Sequence, residues 1–346
     1  MLLGDVVELR HGPMRDALEA AQPFFEGLGR ALADRDGELV LVAGNHDHAL
    51  VEPWLECRAE QHAPAPLGLE QLLEPAAASR ALERIAGWAA PARVRVAYPG
   101  LWLREDVYAT HGHYLDCHLT VPTLERLSVG AMSRLLGRPA STFDSVGDYQ
   151  SVTAPVFAWR DAVARDAPTG AALNGLATVT AWHALSDGHL SGLRRAPKRW
   201  LRNRVIAGAF PLVVAALNRA GMGPLGTDIS LGELRRAGLL AMGEVAAHLG
   251  LGDAYVVFGH THRPGPLPGD HASEWIGRAG ARLINAGSWT YASIFLTQTP
   301  GESPYWPGTC VLVEDEGPPL VKQLLLDHSL AQLTPTRHGV RPTPRS

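Results

Sequence analysis

An apolar run leads directly into two closely spaced histidines in the stretch Ala254-Tyr255-Val256-Val257-Phe258-Gly259-His260-Thr261-His262. A short continuous apolar run of this kind predicts a buried β-strand, which places the histidines in the loop at its carboxyl end. Side chains two positions apart can point to the same side of such a loop. Because neutral imidazole is a common ligand of divalent metals, the stretch predicts a metal site at a strand end.

Three other apolar runs end in the same manner. They are followed by Gly4-Asp5, by Gly44-Asn45-His46-Asp47 and by His111-Gly112. An alternation of strand, loop and helix is typical of an α/β domain, in which ligands bind beyond the carboxyl ends of the strands. Four such loops with ligand-type side chains indicate one composite site and are hard to explain by packing.

In chain order, the four segments resemble the signature of the calcineurin-like metallophosphoesterases, which is Gly-Asp, Gly-Asn-His-Asp, His-Gly and Gly-His-x-His. The resemblance covers residues 1–117 and 251–330, and order, spacing and strand context all agree. It implies an α/β fold in which a sandwich of two β-sheets is flanked by helices. It also implies an enzyme that cleaves a phosphomonoester, phosphodiester or pyrophosphate bond with metal-activated water.

The resemblance assigns metal-binding roles to five residues. Asp5 matches the carboxylate that bridges two divalent ions; Asn45, His111 and His260 match ligands of the second ion, and His262 matches a ligand of the first. Two such ions neutralise the phosphoryl oxygens and lower the pKa of a bridging water. A set of nitrogen and oxygen ligands without thiolate suits Mn, Fe, Zn or Ni.

Other residues are expected to act on the substrate. His46 matches the histidine that protonates the leaving alkoxide, and Glu8 stands where family members place the carboxylate that orients this histidine. Asp47 is expected to cap the helix that follows it. Three residues near the motifs are expected either to contact the substrate phosphate or to be surface loop residues: Arg10, His11 and His113.

One family motif, Asp-x-His, should precede Gly4, but only three residues stand before it. The first metal then keeps Asp5 and His262, which are too few protein ligands for a firmly bound ion. We expect a segment upstream of Met1 to carry the motif. The alternative is a degenerate copy of the family that binds without catalysing. Asp187-Gly188-His189 could also supply the pair, although chance alone produces such a match in this chain.

The rest of the chain suggests an insertion and a tail. Residues 118–250 have mostly helical periodicity and predict a helical insertion or cap. Residues 331–346 are rich in proline and arginine and predict a disordered tail. Two local predictions concern helices: Pro23 should break the helix expected over residues 14–33, and residues 67–90 should be helical.

The composition is that of a globular protein, with 46% hydrophobic and 19% charged residues among 346. A net charge of −4 gives no global basic field, so a nucleic-acid partner is not expected. No signal peptide or membrane-spanning run is visible, which favours a cytoplasmic location. Residues 194–217 combine six cations with an apolar run, so peripheral attachment to an anionic lipid or membrane surface is an alternative.

Overall fold

The structure is a computed structural model that describes residues 1–10, 12–34, 37–166, 210–291 and 296–333. Its central element is a seven-stranded mixed β-sheet. The strands of this sheet are β1 (Leu2–Leu3), β2 (Glu38–Val42), β3 (Glu70–Leu73), β4 (Arg93–Arg104), β5 (Val107–Thr110), β6 (Tyr255–Phe258) and β7 (Arg282–Asn285).

The strand order is β1-β2-β4-β5-β6-β7, and β3 pairs with β4 beside this path. Along this path β1, β2 and β4 run parallel to one another, and so do β5, β6 and β7. The neighbours β4 and β5 are antiparallel. The first half of β4 pairs with β2 and its second half with β5. The sheet curls, so the end of β1 approaches the end of β5: Nδ1 of His111 lies 2.8 Å from the carbonyl oxygen of Leu3.

Helices surround this sheet. They are α1 (Met14–Leu32), α2 (Glu52–Ala59), α3 (Pro75–Ala78), α4 (Arg80–Trp88), α5 (Leu124–Leu135), α6 (Val146–Asp166), α7 (Leu231–His248) and α8 (Leu330–Leu333), and residues 210–219 are also helical. The hydroxyls of Ser79, Thr123 and Ser230 cap α4, α5 and α7 by accepting a backbone N–H of the first turn.

The prediction for Pro23 is wrong, and the helix predicted over residues 67–90 is confirmed only from Pro75 to Trp88. Pro23 lies inside the single continuous helix α1, whose apolar face buries Leu18 and Phe25. Packing of that face offsets the hydrogen bond that proline removes, because tertiary contacts contribute most of the stability of a helix in a protein. Residues 67–90 contain strand β3 before the helices α3 and α4, since β3 pairs with β4.

Two large apolar clusters flank the sheet. One packs β2 and β4 against α1 and α4, with Phe25, Ile85 and Val96 at its centre. The other unites β5, β6 and β7 with α6 and α7, through residues such as Val256 and Met242. Helices α5, α6 and α7 therefore share a core with the sheet.

A separate two-stranded antiparallel sheet is formed by β8 (Thr309–Leu312) and β9 (Leu320–Gln323). Val311 and Val321 of this hairpin pack against Val107, Val257 and Ile284 of the main sheet. The fold is thus a mixed α/β fold with a curled mixed sheet.

Several sequence predictions fall on residues outside the described ranges. These are His11, Asp187-Gly188-His189, residues 194–209 of the basic and apolar segment, and residues 334–346 of the predicted tail, which would begin within α8. Among the described residues, no helix combines the length and apolar character needed to cross a bilayer.

Candidate metal centre

The loop after β1 presents Asp5 to the site through a left-handed turn. Gly4 and Asp5 have φ angles of 83° and 55°. A Cβ on Gly4 would lie 2.3 Å from Nδ1 of His111, so a larger residue would collide with that ring. One carboxylate oxygen of Asp5 accepts the backbone N–H of His46 at 2.8 Å, and the other lies 3.2 Å from Nε2 of His111.

The loop after β2 is held against the first loop by Asp47. The Asp47 carboxylate accepts the backbone N–H groups of Gly44 at 2.6 Å and of Val6 at 2.8 Å. It makes no side-chain cap to the 3₁₀ helix His48–Leu50, so the predicted cap is wrong. Because Asp47 is buried, and because Asp5 is close, its pKa is raised despite these two hydrogen bonds.

Four ligand-type atoms meet between these loops and the loops after β5 and β6. The amide oxygen of Asn45 lies 3.2 Å from Nε2 of His111 and 3.1 Å from Nδ1 of His260. Ligand atoms of Asp5, His111 and His260 all lie within 4.8 Å of one another. A carboxylate oxygen, an amide oxygen and two imidazole nitrogens are thus gathered around one point.

The remaining nitrogen of each imidazole is already taken. Nδ1 of His111 lies 2.8 Å from the carbonyl oxygen of Leu3, and Nε2 of His260 lies 3.0 Å from a carboxylate oxygen of Asp116. Both oxygens only accept hydrogen bonds, so in neutral rings they take the N–H, and the other nitrogens turn lone pairs toward Asn45. Facing lone pairs favour a cation between them. In a tetrahedral site with bonds of about 2.1 Å, ligand atoms lie about 3.4 Å apart, close to the separations here.

The electrostatics of the cluster agree with this geometry. Burial alone would raise the pKa of Asp5, but His111, His46 and His260 outweigh it and hold that pKa well below its usual range. Burial alone would lower the pKa of His111, yet Asp5 raises it above its usual value. A proton can therefore lie between Nε2 of His111 and the Asp5 carboxylate. A bound cation would replace that proton.

His262 lies beside the cluster. Its Nδ1 is 3.1 Å from the hydroxyl of Ser288, and burial together with nearby His260 lowers its pKa to about 4, against the opposing effect of Asp5. Both His260 and His262 have φ angles above 60°, a backbone state that is strained outside glycine and common at functional sites. Asn285 steadies this loop by donating to the carbonyl of Gly259 at 3.0 Å.

His46, Glu8 and Arg10 form a second group next to Asp5. Nδ1 of His46 lies 2.5 Å from a carboxylate oxygen of Glu8, and its Nε2 lies 3.7 Å from Asp5. The buried Arg10 guanidinium donates to the imidazole of His46. The structure thus brings Glu8 and His46 together as the sequence predicts, and adds the Arg10 guanidinium beside Nε2 of His46.

Residues outside the four motifs also reach this second group. Glu125 of α5 lies 3.8 Å from the Arg10 guanidinium and 3.2 Å from that of Arg160 in α6. Burial alone would raise the pKa of Glu125, but Arg160 and Arg10 hold it below its usual value. No motif marks Glu125, Arg160 or Asp116, and a match such as Asp116-Cys117-His118 could arise by chance.

His113 lies behind the site, next to His111, with 5.6 Å between the ring centroids. The side chain is buried against Phe157, so the alternative of a surface loop residue is wrong. Neither ring nitrogen has a hydrogen-bond partner among the described residues. Burial, together with nearby His111 and His260, holds its pKa well below the usual value.

Comparison of the chain with protein-family models, with curated proteins and with solved structures finds no match.

Proposed function

We propose that this chain is a metal-dependent phosphohydrolase of the calcineurin-like metallophosphoesterase type, acting on a phosphomonoester, phosphodiester or pyrophosphate. The observation that carries the proposal is the convergence of Asp5, Asn45, His111 and His260 around one point. Each imidazole is held there by an acceptor on its far nitrogen. Hydrogen bonding alone leaves acceptor lone pairs of this set facing one another, whereas a divalent cation between them would bind these lone pairs.

These four residues would hold one divalent ion, for which Mn, Fe, Zn and Ni suit the ligands. A bound ion of this kind supplies a water of lowered pKa and neutralises phosphoryl charge. The second ion that the resemblance implies would share Asp5 and take His262. Among the described residues these two ligands alone would bind that ion more weakly than the four-residue cluster binds the first one.

His46 would act as the general acid. Its Nδ1 is bound to Glu8, so Nε2 would be the nitrogen that gives a proton to the leaving alkoxide once Arg10 no longer donates to it. The Glu8 carboxylate would orient the ring for that transfer. Arg10, now donating to the same ring, would donate to a phosphoryl oxygen when substrate is bound.

The proposal extends to the fold. The β8–β9 hairpin covers one face of the main sheet through Val311 and Val321 and would be part of the second layer of a two-sheet sandwich. Helices α5 and α6 would then be an insertion that contributes Glu125 and Arg160 to the edge of the site.

A non-catalytic binding protein is the second candidate. It is favoured by the 3.1 Å contact between Nδ1 of His262 and the hydroxyl of Ser288, which engages one ring nitrogen of a residue that the second ion would need. Such a protein would bind a metal and an anionic ligand without turnover.

The test is hydrolysis of aryl phosphate mono- and diesters by the purified chain, with and without Mn²⁺, Zn²⁺ or Ni²⁺. We expect turnover that requires the metal and stops on chelation. Turnover that persists after complete metal removal would contradict the proposal. Tight metal binding with no turnover on either ester class would favour the binding protein.

A further inference from the structure

The contact between Asp116 and His260 involves a residue that belongs to none of the four motifs. We propose that Asp116 is a positioning residue, which holds the His260 imidazole so that its Nδ1 points at the metal. This inference rests on the proposed function, because it assumes that a metal occupies the four-residue cluster.

The backbone brings Asp116 to the site by a short path. His111 directly follows β5, Gly112 turns the chain with a φ of 101°, and a 3₁₀ helix from His113 to Cys117 comes next. The same loop thus provides a ligand, His111, and the acceptor for a ligand 144 residues later in the chain. Only 3% of Asp116 is exposed, so water competes little for its hydrogen bond to His260.

The two imidazoles of the cluster are oriented by different acceptors. The carbonyl oxygen of Leu3 holds His111 and is part of the backbone, whereas the carboxylate of Asp116 holds His260. A carboxylate on the far nitrogen fixes which nitrogen carries the proton and makes the ligating nitrogen more basic. Asp116 is therefore the orienting group that a substitution can remove without touching a ligand.

A buried cation near Asp116 is the alternative partner for its carboxylate. Arg126 is such a cation, but it donates to the carbonyl oxygens of Leu119 at 2.6 Å and of Met222 at 2.9 Å. The hydrogen bond of Asp116 goes to His260 instead. The carboxylate is thus directed at the metal cluster.

The experiment is titration of the metal-free full chain with Co²⁺, following the visible absorption of the bound ion. We expect Asp116→Ala to weaken Co²⁺ affinity by about 10–100-fold and to change the absorption bands, because outer partners of metal-bound histidines typically have effects of this size. Asp116→Asn keeps an acceptor without the charge, so it should recover part of the affinity. Asp148→Asn removes a partly buried carboxylate of α6 that accepts hydrogen bonds from Ser145 and pairs with Arg138, and it should bind as the wild type does.

Wild-type affinity and an unchanged spectrum in Asp116→Ala would overturn the inference and leave the metal site intact. An equal loss of affinity in Asp148→Asn would also overturn it, because the effect would then follow general destabilisation. Absence of Co²⁺ binding by the wild type itself would instead remove the proposed function, on which the inference depends.

Discussion

Two groups of buried and half-buried histidines in this protein differ in what surrounds them. The site histidines, His111 and His260, each meet oxygen acceptors on both ring nitrogens. The packed histidines, His48, His113 and His118, lie among aromatic rings; His48 is 5.1 Å from the ring centroid of Phe157, and His118 bonds to the hydroxyl of Tyr149 at 2.7 Å. Oxygen acceptors on both ring nitrogens therefore distinguish the two proposed ligands from the packed histidines, and burial alone does not.

The pKa values of His111 and of two packed histidines shift in opposite directions. Asp5 raises the pKa of His111 in spite of burial, whereas burial lowers the pKa of both His48 and His118 to about 4. A carboxylate at contact distance favours the charged ring, and an apolar wall disfavours it. Substitutions in each group should separate metal binding from packing.

The largest difference should appear in metal content. We expect His260→Ala to lose its bound metal on dialysis, because a direct ligand is removed, while His118→Gln keeps the metal because it lies outside the cluster. Elemental analysis of the dialysed proteins gives the comparison. Equal metal in both variants would mean that the site histidines are no different from the packed ones.

The next largest effect concerns His46, which lies beside the metal cluster without belonging to it. His46→Ala should reduce turnover by about 10²–10⁴-fold, the usual contribution of general acid catalysis, and leave metal content near that of the wild type. Single-turnover kinetics and elemental analysis on the same samples test this. Metal loss as large as in His260→Ala would show that His46 is a ligand.

A smaller effect should appear in stability against pH. Because the folded pKa of His118 is about 4 and the reference value is 6.5, the unfolded chain binds more protons between these values. The neutral packed ring contributes stability that is present above the unfolded pKa and is lost as pH falls toward 4. Between pH 7 and pH 5 this amounts to at most about 2 kcal/mol.

Urea unfolding of the metal-free wild type and of His118→Gln at both pH values measures that loss. The variant should lose less stability than the wild type on acidification, and shared groups such as His111 cancel in the difference. An identical loss in both proteins would show that His118 titrates normally in the folded state.

The smallest effect is expected for His113. His113→Leu removes two ring nitrogens that lack hydrogen-bond partners among the described residues, so the free energy of unfolding should stay equal or rise by about 1 kcal/mol. Metal content and turnover should not change. A fall in turnover with metal retained would instead support the contact with substrate phosphate that the sequence suggests.

Short sequence motifs identify some of the residues of the candidate site and miss others. Asp5, Asn45, His111 and His260 could be selected because each stands at the end of an apolar run, where parallel strands direct their loops to one edge. The pairing of Glu8 with His46 followed from the same motifs. Glu125 could not be selected in this way, because a charged residue on an amphipathic helix usually faces solvent.

Local sequence patterns likewise predict some elements of the fold and miss others. Strands β2, β5 and β6 were visible as short apolar runs, whereas β3 was hidden in a segment of helical composition and Pro23 was expected to interrupt α1. In both places long-range packing outweighs local propensity: β3 pairs with β4, and α1 buries Phe25 against the sheet.

The sequence by itself determined which side chains can bind a metal and at which strand ends they stand, because strand periodicity and loop chemistry are local properties of the chain. Only the tertiary structure decided that Asp116 faces His260 and that Glu125 lies between Arg10 and Arg160. These contacts depend on how the sheet curls and on how α5 and α6 pack beside it. Such geometry arises from the sum of many weak apolar contacts, and no short segment of sequence encodes it.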